Sequence, residues 1–167
     1  NLISQNLGSM HNKANNRLKA GAFKEAKLML EKILEIDPSY APARVTFSKL
    51  WLQRANLSKA NEYATLAVRI DEDFRPWWDE LNDIRSKIQL GRQKTQQADY
   101  KNAMREYEVI AEKYPYYSEV HYYMGITKFK ENDFKGAAFY FEQALKIYPD
   151  YQKAQKGLNN VSKRLRK

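Results

Sequence analysis

No cysteine occurs among the 167 residues, which excludes disulfides, thiolate catalysis and Cys-ligated zinc and is compatible with a reducing or an oxidising compartment. Histidine is nearly as scarce. His11 and His121 stand far apart, neither with a second His at helical spacing, so no metal site is expected. Six Gly and five Pro leave few places to break regular structure, which favours long helices with short turns. No apolar run approaches the roughly 18 residues that a membrane-spanning helix needs. There is also no glycine-rich phosphate loop, nucleophile elbow or kinase-type signature, so no catalytic residue and no cofactor are assigned. Asn1 begins neither with an initiator Met nor with a signal-peptide pattern. The chain is therefore read as a soluble fragment of a longer protein, its compartment (cytoplasmic, or bacterial periplasmic or envelope) left open.

Acidic residues are absent from the tail. The formal charge is +9, and from Tyr151 onward Lys153, Lys156, Lys163, Arg164, Arg166 and Lys167 stand without a single carboxylate, so about two-thirds of the excess lies in the last tenth of the chain. Elsewhere charges nearly balance. Glu31, Glu35, Glu106 and Glu112 have lysine neighbours such as Lys32 and Lys113 and read as solvated helix faces. Frequent Lys, Asn and Tyr suggest an AT-rich bacterial genome.

What is present is a repeated phrase: a turn, an apolar residue, and a small residue three positions on. It reads Gly-Ala-Phe-Lys-Glu-Ala to Ala26, Ala-Asn-Leu-Ser-Lys-Ala to Ala60, Ala-Asp-Tyr-Lys-Asn-Ala to Ala103 and Asn-Asp-Phe-Lys-Gly-Ala to Ala137. The spacings are 34, 43 and 34, the shorter being the period of a helix-turn-helix array. Each phrase opens a helix with apolar residues at helical spacing, such as Leu30, Ile33 and Leu34, or Tyr107, Ile110 and Ala111. Asp37-Pro38, Tyr114-Pro115 and Tyr148-Pro149 stop three of these helices, because proline lacks the N–H and pushes the preceding residue out of the helical region; Glu72 takes the proline's place in the second copy. A partner helix precedes each phrase. Gly91 and Gly125, and Ala14 and Ser48 at matching places, let paired helices approach closely.

These residues resemble the tetratricopeptide repeat family, whose pattern sets Trp, Leu-Gly, Tyr, then Ala, Phe and Pro at fixed offsets. Ala103, Tyr107 and Pro115 match its second half, as do Ala137, Phe141 and Pro149, and more loosely Ala26, Leu30 and Pro38. The first half departs, with Lys87 and His121 in place of Trp, and Arg17, Lys94 and Lys128 in place of Tyr. The resemblance implies an all-α, right-handed superhelical solenoid of antiparallel helix pairs. It forms a single domain with repeats at about 9–41, 42–75, 76–118 and 119–151 and a capping helix at about 152–167 that carries Ala154, Leu158, Val161 and Leu165 on one face. The enlarged third repeat reads as one long helix with Pro76 in its first turn, Asp73 as a cap, and Trp77, Leu81, Ile84, Ile88 and Gly91 on one stripe. A short helix to Ile88 followed by a break, splitting the array into two pairs of repeats, is the alternative.

The resemblance further implies a non-enzymatic scaffold whose concave groove holds a protein or peptide. Carried over by position, the groove offers His11, Asn12, Asn15 and Lys19; then Val45, Thr46, Lys49 and Gln53; then Ile88, Gln89, Arg92 and Gln96; and finally Tyr122, Tyr123, Ile126, Phe129 and Lys130. Lys156, Asn160, Lys163 and Arg164 add to it from the terminal helix. Such a surface suits a partner with acidic and apolar groups. Each aromatic has a plainer use as packing between helices. Of the carboxylate clamp by which some relatives hold a chaperone's C-terminal tail, only Asn15 fits, which argues against that partner. Two other readings stand beside the scaffold: binding of nucleic acid or an anionic surface through the basic terminal helix, and self-assembly into homo-oligomers.

Overall fold

The computed structural model describes residues 2–167. Among them the chain is all helical: α1 (Leu2–Lys19), α2 (Phe23–Ile36), α3 (Ala41–Gln53), α4 (Leu57–Ile70), α5 (Arg75–Gln96), α6 (Tyr100–Lys113), α7 (Ser118–Lys130), α8 (Phe134–Ile147) and α9 (Gln152–Leu165), with a 3₁₀ turn at Glu72–Phe74. The class is a helical-repeat solenoid. The helices end where the prolines dictate: Asp37, Tyr114 and Tyr148 adopt φ of −141°, −128° and −132°, and each donates a last N–H four residues back, to Ile33, Ile110 and Ala144. α5 is continuous over its 22 residues. The capping role expected of Asp73 belongs instead to Asp71, whose carboxylate accepts the Asp73 N–H at 2.9 Å and closes the 3₁₀ turn ahead of α5. Asp73 lies inside that turn, two residues ahead of Arg75 and one position too early to be the N-cap of α5.

Each turn within a repeat needs a residue in the left-handed region, and Gly21, Ala55, Ala98 and Asn132 supply it with φ of 78°, 55°, 61° and 65°. Their spacings are those of the repeat. Glycine takes this conformation freely and asparagine tolerates it, whereas an L-alanine there costs about 1–2 kcal/mol. Ala98→Gly is therefore expected to stabilise the chain by about 0.5–1 kcal/mol, after the looser unfolded chain takes back part of the gain. An unchanged or lower urea midpoint would count against strain at this turn.

The chain packs as two compact units. The first comprises residues up to Trp51 together with Leu57–Leu81. Its core gathers Leu7 and Ala14 of α1, Ala26, Leu30 and Ile33 of α2, and Ala43, Phe47 and Leu50 of α3, the Phe47 ring stacked 4.7 Å from Tyr63 of α4. Ser48 ties three helices with one hydroxyl: it accepts the Trp77 Nε1–H at 2.8 Å and donates to the Ala60 carbonyl at 2.6 Å. Both roles are met, so this buried polar atom carries no desolvation debt.

The second unit comprises Leu52–Asn56 and Asn82–Lys167. Ala137, Phe141 and Ala144 of α8 meet Tyr151, Ala154 and Val161 at the start and along α9. Close helix approach works as the glycines suggest. A Cβ placed on Gly91 would stand 2.5 Å from the Tyr107 ring, and one on Gly125 or on Gly157 would stand 2.6 Å from the Phe141 ring. The Tyr107 and Phe141 rings thus rest against the glycine backbone of neighbouring helices.

At the repeat position where the resemblance calls for Tyr, an ion pair does the joining. Arg17 meets Glu25 at 3.1 Å, Lys94 meets Glu106 at 2.8 Å, and Lys128 reaches Glu131 at 3.3 Å and Asp133 at 3.7 Å. Glu106 is consequently not the solvated carboxylate its lysine-rich surroundings suggest. Its side chain is 23% exposed and bonded to α5.

Candidate partner-binding surfaces

In the first unit, helical spacing puts His11 and Asn15 of α1 opposite Thr46 of α3, and the three close on one another. Thr46 Oγ1 donates to Asn15 Oδ1 at 2.9 Å and lies 2.8 Å from His11 Nε2. A hydroxyl has one proton, so with it given to Asn15 the bond from His11 must be donated by Nε2–H. That leaves no lone pair on Nε2 for the Asn15 amide at 3.4 Å. Burial lowers the His11 pKa below its ordinary value, partly opposed by the Pro42 carbonyl. Thr46 is 3% exposed and so contributes to this network rather than to a surface. Lys49 is half-buried with its ammonium 5.1 Å from the Trp77 ring centre, and desolvation lowers its pKa against the pull of Glu80. Asn12 and Lys19 are exposed.

In the second unit Gln53 is buried, its Oε1 without a hydrogen-bond partner, while its carbonyl accepts from Ser118 Oγ at 2.8 Å. The other positions converge on α7. Tyr122 and Tyr123 are half-buried with ring centres 5.5 Å apart; Tyr122 also lies 5.5 Å from Tyr151 and 5.9 Å from Phe141, and Tyr123 stacks 6.0 Å from Tyr107. The Arg92 guanidinium from α5 sits 5.4 Å over Tyr123. Phe129 packs on Phe134 at 5.4 Å, and Arg164 of α9 lies 5.9 Å from both rings. Gln96, Lys130, Lys153, Lys156, Lys163, Arg166 and Lys167 are exposed. The aromatics therefore do both jobs, packing between helices with one side and remaining partly open on the other.

Two protein-family models, each describing the tetratricopeptide repeat, match residues 17–79 and 118–151, together more than half of the chain, the second spanning the α7–α8 pair. The chain belongs to the tetratricopeptide repeat family. Among solved structures it resembles the P58(IPK) TPR domain, with a TM-score of 0.72 and 17% identity over 95% of this chain. It spans only 46% of that one. PilF of Pseudomonas aeruginosa (20% identity, 99% of this chain, 72% of that, TM-score 0.45) and YrrB, described as a TPR protein with an unusual peptide-binding site (16% identity, 93% of this chain, 97% of that, TM-score 0.43), superpose less closely. No curated protein matches the sequence significantly. At these identities the likeness concerns the fold.

Tetratricopeptide repeats serve generally as protein–protein interaction scaffolds, and the family is generally non-enzymatic. No helix among the described residues is long and apolar enough to cross a membrane, and no group of three or more His, Cys, Asp or Glu among them is arranged to hold a metal.

Sequence reasoning overlooks one residue of this tetratricopeptide surface. Glu119, in the first turn of α7, accepts from the Tyr117 hydroxyl at 2.9 Å, and its charge acts on Tyr122, Tyr123 and Tyr151. Burial raises its pKa, an effect opposed by the Tyr117 bond and by the charges of Lys153 and Arg92. Its period-34 counterparts, Arg85 and Lys153, are cations, so a charge reversal at that phase is the signal in the sequence.

Because the folded pKa lies above the unfolded one, the folded state holds the Glu119 proton more tightly. Its stabilising share is complete below the unfolded pKa and disappears as pH rises through the folded value. Glu119→Gln keeps an acceptor for Tyr117 without the charge. The variant is expected to unfold at higher urea than the parent at pH 7, with the difference shrinking below about pH 4.3, the ordinary Glu value. A variant less stable than the parent at pH 7 would contradict an uncompensated buried charge.

Proposed function

We propose that the chain is a non-catalytic scaffold that holds a protein or peptide partner chiefly on the face of its second unit carrying Arg92, Tyr122, Tyr123, Phe129, Lys130 and the exposed cations of α9. The observation that carries this reading is the half-buried Tyr122–Tyr123 pair, with Arg92 over Tyr123. Tyrosines with open faces offer flat apolar area at little entropic cost, and exposed Lys and Arg around them favour a partner with carboxylates and apolar groups. The first unit takes a smaller share, because His11, Asn15 and Thr46 already satisfy one another and leave Asn12, Lys19 and part of Lys49 to the surface.

The test is affinity capture from the native cell with the chain and with a variant carrying Lys49→Ala, Arg92→Ala and Tyr122→Ala. The reading expects a specific protein partner that the variant loses while its helical circular dichroism is unchanged. Recovery of nucleic acid that depends on Lys163–Lys167 and weakens steeply between low and physiological salt would replace it with phosphate binding. Recovery of the chain itself alone would replace it with self-assembly.

A further inference from the structure

Glu119 is a carboxylate set among tyrosines on a face well supplied with cations, and its surroundings are unfinished. It accepts from Tyr117 Oη at 2.9 Å and forms no ion pair among the described residues. An ionised carboxylate has about four acceptor positions, so most remain unused. Beside it the Tyr151 hydroxyl is buried without a hydrogen-bond partner, in a residue only 5% exposed. The Tyr122 ring lies 5.5 Å from Tyr123 and 5.5 Å from Tyr151, and the charge of Glu119 acts on all three hydroxyls. Arg92, drawn over Tyr123, and Lys153, exposed at the start of α9, lend positive potential to Glu119 without pairing with it.

An unpaired carboxylate, an orphan phenol oxygen and open ring faces ask for the same thing: a cation with several N–H donors. Guanidinium can bond a carboxylate through two parallel N–H groups while its plane lies on an aromatic ring. An ammonium supplies the charge and the attraction to the ring but not the fork. A carboxylate ligand at this spot would meet Glu119 as a like charge and would go to Arg92 or Lys153 instead. We propose that Glu119, Tyr122 and Tyr151 form a site for an arginine side chain of the partner, so that the partner presents one basic residue here among acidic and apolar ones. The proposal rests on the reading of this face as the partner surface and adds its charge pattern.

The test uses the full chain with ring-labelled tyrosine, observed by NMR during titration with n-propylguanidinium chloride, n-propylammonium chloride or sodium butyrate at constant ionic strength. Propylguanidinium should shift the Tyr122, Tyr123 and Tyr151 rings saturably, with propylammonium weaker. Glu119→Gln, which keeps an acceptor for Tyr117, should weaken guanidinium binding about tenfold, equivalent to about 1.4 kcal/mol. Lys101→Gln, an exposed lysine of α6 outside this face, should leave it unchanged, and melting curves establish that both variants are folded. Shifts that never saturate, that are equal in Glu119→Gln, or that appear with butyrate instead overturn the site. The probes need no partner, so the two readings fail separately: a partner captured normally by the triple variant sinks the surface, whereas an indifferent Glu119→Gln sinks the arginine site.

Discussion

Phe141→Ala is expected to cost about 3–5 kcal/mol of folding stability, the range for truncating a buried aromatic to alanine. The ring is 1% exposed, and it lies against the backbone of Gly125 on α7 and Gly157 on α9, within 2.6 Å of where either would carry a Cβ. Glycine walls have no side chains to swing into a cavity, so the space left by the ring stays largely empty, and cost rises with the cavity that remains. The same ring joins α8 to Tyr122, so the loss should spread to the binding face. Urea unfolding with linear extrapolation measures the effect. A loss under about 1 kcal/mol would mean that the helices close over the gap and that the glycine contacts are not a rigid seat.

Tyr122→Ala is expected to weaken binding of a captured partner by about 2 kcal/mol or more, close to thirtyfold in Kd. Tyr122 touches Tyr123, Phe141 and Tyr151 from one side and is half-open on the other, the placement in which an aromatic contributes most to an interface. Lys130→Ala, an exposed cation on the same helix, should change affinity by about 1 kcal/mol at most, because surface charges are screened by solvent and salt. Titration calorimetry of the two variants with the partner gives the contrast. Equal effects would place the binding energy in long-range charge and not in the tyrosines.

The order and ends of the helices are legible in the sequence because local rules decide them. Three Xaa-Pro steps stop helices at Asp37, Tyr114 and Tyr148, and the repeated Ala26, Ala60, Ala103 and Ala137 are each buried where the second helix meets its neighbour. Gly91 and Gly125 announce close approach for the same reason. What composition hides is pairing across helices. Glu106 looks solvated next to its own neighbours, yet Lys94 comes to it from the preceding helix. Thr46 and Gln53 occupy positions matched to a groove but are buried, since burial depends on the facing helix and not on the residue's own type. Glu119 is hidden most deeply, because its meaning lies in the four tyrosines around it, which are distributed over α7 and the turns before α7 and α9.

The left-handed turn residues have a consequence for redesign. Helix cores and binding faces in such arrays are read by neighbouring helices, so a change there is constrained on several sides. The turns at Ala55 and Ala98 are strained at a place that recurs in every copy, and neither alanine is among the residues of the partner face. Relieving them would raise the tolerance of the scaffold to mutation elsewhere, so that residues on the partner face could be altered more freely without unfolding the chain.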